Sequence, residues 1–523
     1  VLLLTSVGAF MTPLDGSIVA VALPAIGPAL RLQFTDALWI QAAYLLTVSI
    51  LLIPFGRLAD AHGRLRFFLG GVVVFTVGSV AAGLATGALW LVIARCVQGA
   101  GGALLGATSP ALVTAAFPPS RRGRVLGINV TAVYLGLAVG PPLGGLLVDH
   151  LGWRWIFFVN VPVGAVTFLL GWLLLHEAVG RRLDAAEVLA PTGLPPAPLP
   201  ERAPAGGSPA VVAASGLPAG AKEATGLSCG RSVDLCGTGL LALMLSMLLV
   251  PLTFAPLWGW TAPATLGLLA VAAAAFVLFV FLEERIADPV LDLNLVRHNR
   301  LFAAANFAAL LNYMAMQGIA ILTAVFLEIV QKRSAQEAGL ILIAQPVLMV
   351  ALSWAAGRAS DRIGARLPAT LGMIVISSGM TLLAFMPTDV STVRVMLSLA
   401  LIGVGMAMFS SPNTSSVMGS VDRTQLSVAS AFLGTMRFMG QALSVAVLGG
   451  IAAIQLGRSG SKVLLLGASA AGAFHGAAAN YAHGYRYAML TGAGLAFAGA
   501  MVSLVRPSMK PPSSTQGPAA QAQ

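Results

Sequence analysis

Charge is what this chain has least of. Asp, Glu, Lys and Arg make up 9% of its 523 residues, against about a quarter in ordinary globular domains. A water-facing surface cannot be built from so few, which excludes a soluble multidomain protein. Cysteine is scarcer still. Cys96, Cys229 and Cys236 are too few and too scattered for a disulfide framework, and no Cys/His spacing marks a metal site. The chain also lacks a Walker-type phosphate loop, an H-E-x-x-H pair and a nucleophile elbow. Their absence argues against an ATP-driven pump or a membrane hydrolase, so neither a cofactor nor an enzymatic activity is expected. The formal net charge of +11 does not point to nucleic acid. The basic residues fall in small groups between apolar runs rather than on the clustered patch that phosphate binding uses.

What is abundant is apolar length. Hydrophobic residues reach 57% and the mean hydropathy is +0.88. Fourteen apolar segments can be drawn: 1–23, 37–55, 67–86, 89–116, 125–148, 155–176, 236–256, 264–282, 301–327, 338–356, 368–387, 394–418, 425–454 and 485–505. Most match the roughly twenty residues of a spanning helix. Barrel strands would instead alternate over about ten residues. The expected fold is an all-α polytopic membrane protein. Val1 already lies inside an apolar run with no basic leader before it, which reads as a start within the first helix rather than a signal peptide.

The short polar breaks carry the organisation. GRLADAHGRLR, Gly56 to Arg66, returns in related form as GRASDRIGAR, Gly357 to Arg366, each after the second segment of a block of six. The recurrence predicts a duplicated chain. Residues 1–176 form one six-helix half and 283–505 the other, with two inserted helices over 236–282 and a tail at 506–523. Residues 177–235, rich in Pro, Ala and Gly, read as a disordered cytoplasmic linker. Residues 456–484 read as an outer polar loop carrying His475 and His483. With Val1 on the inner side, twenty Lys and Arg fall in inner loops or the tail and eight in outer loops or at outer span ends, leaving only Arg95 and Arg437 deep inside spans. The positive-inside rule then places both termini in the cytoplasm. Paired halves of this kind are typical of secondary transporters, whose substrate site lies near the midplane.

Five segments carry a resemblance, in order along the chain. They are PLDGSIVAVALP (Pro13 to Pro24), GRLADAHGRLR, LVIARCVQGAGGA (Leu91 to Ala103), GLAVGPPLGG (Gly136 to Gly145) and GWRWIFFVNVPVG (Gly152 to Gly164). Together they resemble the motifs of the major facilitator superfamily, and within it the fourteen-helix drug:proton antiporters. The resemblance spans nearly the whole chain apart from the linker and the 456–484 stretch. It implies a major facilitator-type fold, a plasma (inner) membrane location, and exchange of protons for small lipophilic or cationic substrates. A monomer is expected. The loop glycines and charges that match are Gly56, Asp60, Gly63, Arg64 and Arg66 in the first copy. In the second they are Gly357, Arg358, Asp361, Arg362, Gly364 and Arg366. Ala61 stands where the family usually has Arg, kept as Arg362 in the second copy, so the first copy is expected to be the weaker lock. Glu328 stands where comparable relatives often have Gln.

Asp15 is the only acidic residue deep inside a predicted span. A carboxylate there costs about 2.5–3.5 kcal/mol on insertion scales, and such groups are functional candidates. Arg95 is its expected partner. At about 1.5 Å per residue the two sit at depths that agree to roughly 3 Å. Proton coupling is one reading of the pair and a static salt bridge the other. Gly136, Gly140 and Gly144 fall at i, i+4 and i+8 beside Pro141 and Gly145, a smooth ridge for close helix packing. Resemblance to antiporters implies that this ridge seals the outer half of the pathway, and generic packing is the alternative. The loop charges read either as a gate latch or as topology signals. Asn306, Tyr313 and Gln317 share one helical face and, with Gln98, Asn413 and Arg437, are candidates for a cavity wall; interhelical hydrogen bonds would explain the same amides. Arg437 has no obvious acid to answer it, and the Ser410, Ser411, Asn413 and Thr414 cluster is one possible acceptor. The expected function is proton-coupled export by alternating access. The alternatives are a polar-nutrient transporter and a non-transporting sensor or scaffold built on the linker.

Overall fold

A computed structural model describes residues 1–117, 119–188, 234–286, 293–422, 425–466 and 471–506. In the first part of the chain the helices are α1 (Leu2–Ala29), α2 (Phe34–His62), α3 (Arg64–Gly83), α4 (Ala88–Ala116), α5 (Pro119–Leu151), α6 (Trp155–Phe158) and α7 (Asn160–Val188). Then come α8 (Leu235–Trp258), α9 (Pro263–Glu283), α10 (Leu293–His298) and α11 (Arg300–Val325), which runs into a π-helical turn at Phe326–Val330. The remainder are α12 (Ala335–Leu342), α13 (Ala344–Ile363), α14 (Arg366–Ala384), α15 (Thr392–Gly419), α16 (Leu426–Leu466) and α17 (Ala471–Val505). Fourteen helical spans are long and apolar enough to cross a bilayer, one at each predicted segment. No strand occurs among the described residues.

Local chemistry sets the breaks between helices. Asn299 accepts from Phe302 N at the start of α11, and Ser334 Oγ accepts from Glu337 N at the start of α12, each satisfying a donor that the first helical turn leaves free. The two related loops turn at Gly63 (φ 108°) and Gly364 (φ 81°), a left-handed region that side chains avoid. These glycines occupy corresponding places in the repeat, so the duplication seen in sequence is also a duplicated backbone turn. The end of the bundle that holds both is the loop-motif face.

In the first part of the chain α1 packs chiefly on α5, and α4 on α2 and α3, with α7 beside α3. In the last part α14 lies between α15 and α17, and α11 between α16 and α17. The two groups meet along α2 with α16, α5 with α12 and α13, and α1 with α11. The inserted helices α8 and α9 pack on each other and reach the rest through α8 against α16 and α2. They flank the bundle rather than fill it.

Burial along the central helices is lopsided. Ser17–Pro24 of α1, Ile40–Leu46 of α2, Ile321–Leu327 at the end of α11 and Ala442–Ala446 of α16 are unbroken buried stretches. All lie toward the end opposite the loop-motif face. On the loop-motif side Met436–Met439 of α16 are half-buried throughout, as are Leu310, Leu311, Tyr313 and Met314 of α11. On these four helices burial is therefore more continuous toward the far end than toward the loop-motif face.

Two boundaries differ from expectation. The sixth span ends at Leu174, close to the expected 176, but α7 continues to Val188, so the first residues of the expected linker are helical, in a stretch where Glu, Ala, Arg and Leu predominate, all good helix formers. Of the expected linker, residues 189–233 lie outside the described residues, as does the tail from 507. The expected outer loop at 456–484 is mostly helix. The chain kinks at Gly457 (φ 60°), continues to Leu466, and is helical again from Ala471. Hydropathy falls in this stretch while alanine keeps helix propensity high. His483 is exposed on α17, and the side chain of His475 lies outside the described residues.

Helix α3 offers a test of this packing. A Cβ on Gly78 would sit 2.6 Å from Gln98 N, whereas one on Gly70 meets nothing within 4 Å. Gly78→Ala is expected to cost about 1–3 kcal/mol through overpacking. Gly70→Ala is expected to be neutral or to stabilise by up to about 1 kcal/mol. Thermal melting in detergent measures both, and equal shifts would contradict the contact.

Candidate functional site

Asp15 sits at the middle of α1 and is fully buried. Its Oδ2 accepts from Arg95 Nη1 at 2.5 Å. Its Oδ1 accepts from Gln98 Nε2 at 2.6 Å and from Asn160 Nδ2 at 3.0 Å. Arg95 spends its remaining donors on Ile40 O (3.1 Å), Gln98 Oε1 (2.5 Å) and Gln41 Oε1 (3.3 Å). Ser79 Oγ ties the network to α3 by accepting from Gln98 Nε2 at 2.7 Å. The ring of Tyr44 caps the guanidinium, with Cζ 4.4 Å from its centre, and Phe157 lies at 5.9 Å. Polar groups of α1, α2, α3, α4 and α7 thus join in one network around the carboxylate. Both charges are paired and hydrogen-bonded, the condition under which ions persist at such depth.

The predicted Asp15–Arg95 pair is present; the residues around it differ from expectation. Gln98, expected on a cavity wall, is fully buried within this network. Its position three residues after Arg95 puts both on one face of α4. Gln41 and Ser79 carried no sequence signal beyond being polar within an apolar span. Asn160 and Tyr44 stand beside the ion pair because α7 starts at the break after Val159 and α2 packs on α4.

The glycine ridge of α5 faces α1. A Cβ on Gly136 would lie 2.5 Å from Phe10 O, one on Gly140 would overlap Ser17 Oγ, and one on Gly144 would lie 2.8 Å from the Ile18 side chain. The next turn of α5 faces the other half of the molecule. A Cβ on Gly145 would run into the backbone at Ala335 and Gln336, while Gly339 of α12 packs on the Pro141 carbonyl. Just beyond, Asp149 accepts from Gln336 N at 2.8 Å and from Ala335 N at 3.3 Å, capping α12 from the opposite half. No motif flagged Asp149. Close to it is Glu328 in the π-helical turn, whose Oε1 is buried without a partner among the described residues. One helix, α5, therefore contacts both the Asp15 helix and the seal at the far end.

The second deep cation stands apart. Arg437 lies in the half-buried stretch of α16, its Cζ 5.1 Å from the Phe438 ring centre and 5.9 Å from that of Tyr313. Among the described residues no hydrogen bond or ion pair reaches its guanidinium, and its Nε is buried without a partner. The serine and amide cluster of α15 does not answer it. Ser410 Oγ accepts from Tyr134 at 2.8 Å, Thr414 donates to Ser410 O, and Asn413 donates to Ala305 O.

Of the proposed wall residues, Tyr313 and Gln317 are half-buried, but Asn306 and Asn413 are not on an open wall. Asn306 donates to Phe302 O within its own helix. Asn413 Oδ1 accepts from Arg506 Nη1 at 3.1 Å. Arg506, placed in the tail from sequence, is only 2% exposed and also donates to Ala365 O at 2.6 Å. Burial first, and the neighbouring Arg366 second, push its guanidinium down to about 10.

The loop motifs hold modest electrostatics. Arg64 Nε and Asp60 Oδ1 are 2.6 Å apart, with side chains 36% and 47% exposed, and Arg64 Nη1 reaches Ala111 O at 3.3 Å. Pairs this exposed contribute at most about 1 kcal/mol. Arg66, Arg358 and Arg362 are exposed, with Arg358 stacked over Trp354 at 3.7 Å. The side chain of Asp361 lies outside the described residues.

The buried pair has a measurable signature. Asp15→Leu or Arg95→Met alone strands a charge and is expected to cost about 3–5 kcal/mol. The double replacement is expected to cost well under the sum, because no charge is left unpaired. Melting of the four proteins in detergent measures the coupling, and additive losses would contradict it.

The sequence profile of the Major Facilitator Superfamily matches residues 5–305, 235–445 and 305–523. The chain is 32% identical to the multidrug resistance protein Stp of Mycobacterium tuberculosis (strain CDC 1551 / Oshkosh), over 87% of this chain and 76% of that protein. It is 30% identical to the tetracenomycin C resistance and export protein of Streptomyces glaucescens, over the same shares of each chain. Its fold is similar to a bacterial homolog of the human lysosomal transporter Spinster, solved in an inward-facing and occupied conformation. The TM-score there is 0.61, at 15% identity over 97% of this chain and 96% of that one. Profile, relatives and fold agree: the chain is a multi-pass membrane transporter belonging to the Major Facilitator Superfamily.

Proposed function

We propose that this transporter is a proton-driven exporter that moves lipophilic organic molecules, drugs or secreted metabolites, across the plasma membrane. Both termini face the cytoplasm and a single chain is the working unit. The observation that carries this reading is the fully buried Asp15–Arg95 pair on a helix seated against the glycine ridge of α5. The relatives named for multidrug resistance and for export support the direction and the substrate class.

The cycle follows from the charges and contacts. With Asp15 ionised, Arg95 holds it and burial is more continuous toward the far end than toward the loop-motif face, which corresponds to a cytoplasm-facing state. Protonation of Asp15 removes the Coulomb attraction to Arg95 and loosens α1 against α4. Because α5 packs tightly on α1 and also carries the cross-half contacts to α12, a shift of α1 is transmitted to the far seal. Residues 1–176 and 283–505 then rock as two units. Substrate and proton favour opposite conformations, so each drives the other across. The metal- and cofactor-free cycle draws its energy from the proton gradient alone.

Reconstituted vesicles test this. Under an imposed pH gradient the wild type is expected to drive substrate movement, and Asp15→Asn to fall to the rate of empty vesicles. Substrate exchange without a gradient should persist in the variant, because the Asn side chain keeps the shape of the carboxyl and stands in for its neutral, protonated form. Unchanged gradient-driven movement in Asp15→Asn would refute the role of Asp15.

A further inference from the structure

The sign of the charge on the transported molecule can be read from the centre of the bundle. Resemblance to drug:proton antiporters favours a cation. The charges present favour the opposite. Among the described residues deep inside the spans, Asp15 and Arg95 neutralise each other. Glu328, an acid with an unpartnered buried oxygen, lies at the far end beyond α11, roughly 22 Å of helix from Tyr313. Arg437 is left over. Its guanidinium has no protein acceptor among the described residues and its Nε is buried unpartnered. A lone cation at membrane depth is costly and needs an acceptor, and none of the neighbouring serines or amides supplies one.

The surroundings define what could serve. Tyr313 and Phe438 present ring faces to the guanidinium, and Tyr134 reaches across from α5 to Ser410 on α15. All four protein groups are half-buried on the side where burial is less continuous. Flat rings around a guanidinium suit a flat ring system, by stacking, together with an oxygen anion, by charge-assisted hydrogen bonds. A cationic drug would have to enter beside an unpaired positive charge with no free carboxylate at that level of the bundle to offset it.

We propose that the substrate is an aromatic anion, a planar molecule bearing an ionised acidic oxygen, with Arg437 as its counter-charge. The proposal rests on the export reading for its direction of movement but not for its binding chemistry. It has an electrical consequence. One proton inward against one monovalent anion outward moves two charges the same way, so an inside-negative potential accelerates the cycle. Exchange against a monovalent cation would move none.

Two dyes sharing the xanthene ring system, fluorescein as the anion and rhodamine 6G as the cation, provide the test. Equilibrium binding to the purified full chain at symmetric pH is compared for wild type, Arg437→Gln and Arg437→Lys, with melting curves to certify folding. The wild type is expected to bind fluorescein at least about tenfold more tightly than rhodamine 6G, or ~1.4 kcal/mol. Arg437→Gln should abolish that preference and Arg437→Lys should retain most of it. Absence of fluorescein binding, equal or tighter binding of the cation, or a preference unchanged in Arg437→Gln would each overturn the proposal. Gradient-driven dye uptake into vesicles is measured separately. If the binding preference holds but neither a pH gradient nor a potential moves fluorescein, the export reading fails and the assignment of Arg437 stands.

Discussion

A carboxylate at the centre of an apolar bundle must be neutralised, by a cation or by a proton, and this constraint organises the protein. At Asp15 the cation is Arg95, held by Gln41, Gln98 and the Ile40 carbonyl so that it can hardly point elsewhere. The network recruits a polar side chain from each surrounding helix, which explains why α2, α3, α4 and α7 each place one at this depth. The two ways of neutralising Asp15 are not equivalent. The pair pulls α1 toward α4, and the proton does not.

A local choice of this kind matters only if it reaches the gate. Small residues make that possible. The glycines of α5 let two backbones approach so closely that α1 and α5 have little room to slide independently. One turn further, Gly145 and Pro141 of the same helix meet α12, and Asp149 caps α12 with its carboxylate. The far end is thus sealed by packing and by hydrogen bonds from backbone N–H groups to Asp149, whereas the ion pair of the first loop motif is exposed. Exposed pairs contribute little and are screened by salt. The asymmetry places the firm closure opposite the charged loops in this conformation.

Much of this was legible in the sequence because membrane proteins leave few ambiguities. Asp15 and Arg95 could be paired by depth because so few charges lie inside spans. The repeat could be read from its loops because Gly63 and Gly364 are required by a left-handed turn. The amides were harder. Gln98, Asn306 and Asn413 are all polar groups in apolar helices, yet one serves the ion pair, one bonds its own helix, and one holds Arg506. Which of these occurs depends on how each helix is rotated against its neighbours, and a single helix's pattern does not encode that. The 456–484 stretch was missed for another reason. Hydropathy marks where the bilayer ends, while helix propensity in Ala-rich sequence carries on past it.

The central claim is that occupancy of the substrate site and protonation of Asp15 exclude each other. Proton release on ligand binding tests it most directly. Purified transporter in weakly buffered detergent solution, at a series of starting pH values, is mixed with a saturating transported ligand while the pH is followed. The account predicts release of up to one proton per chain in the wild type and none in Asp15→Asn. Equal release by both proteins, or ligand binding in the wild type with no proton released at any pH, would contradict it.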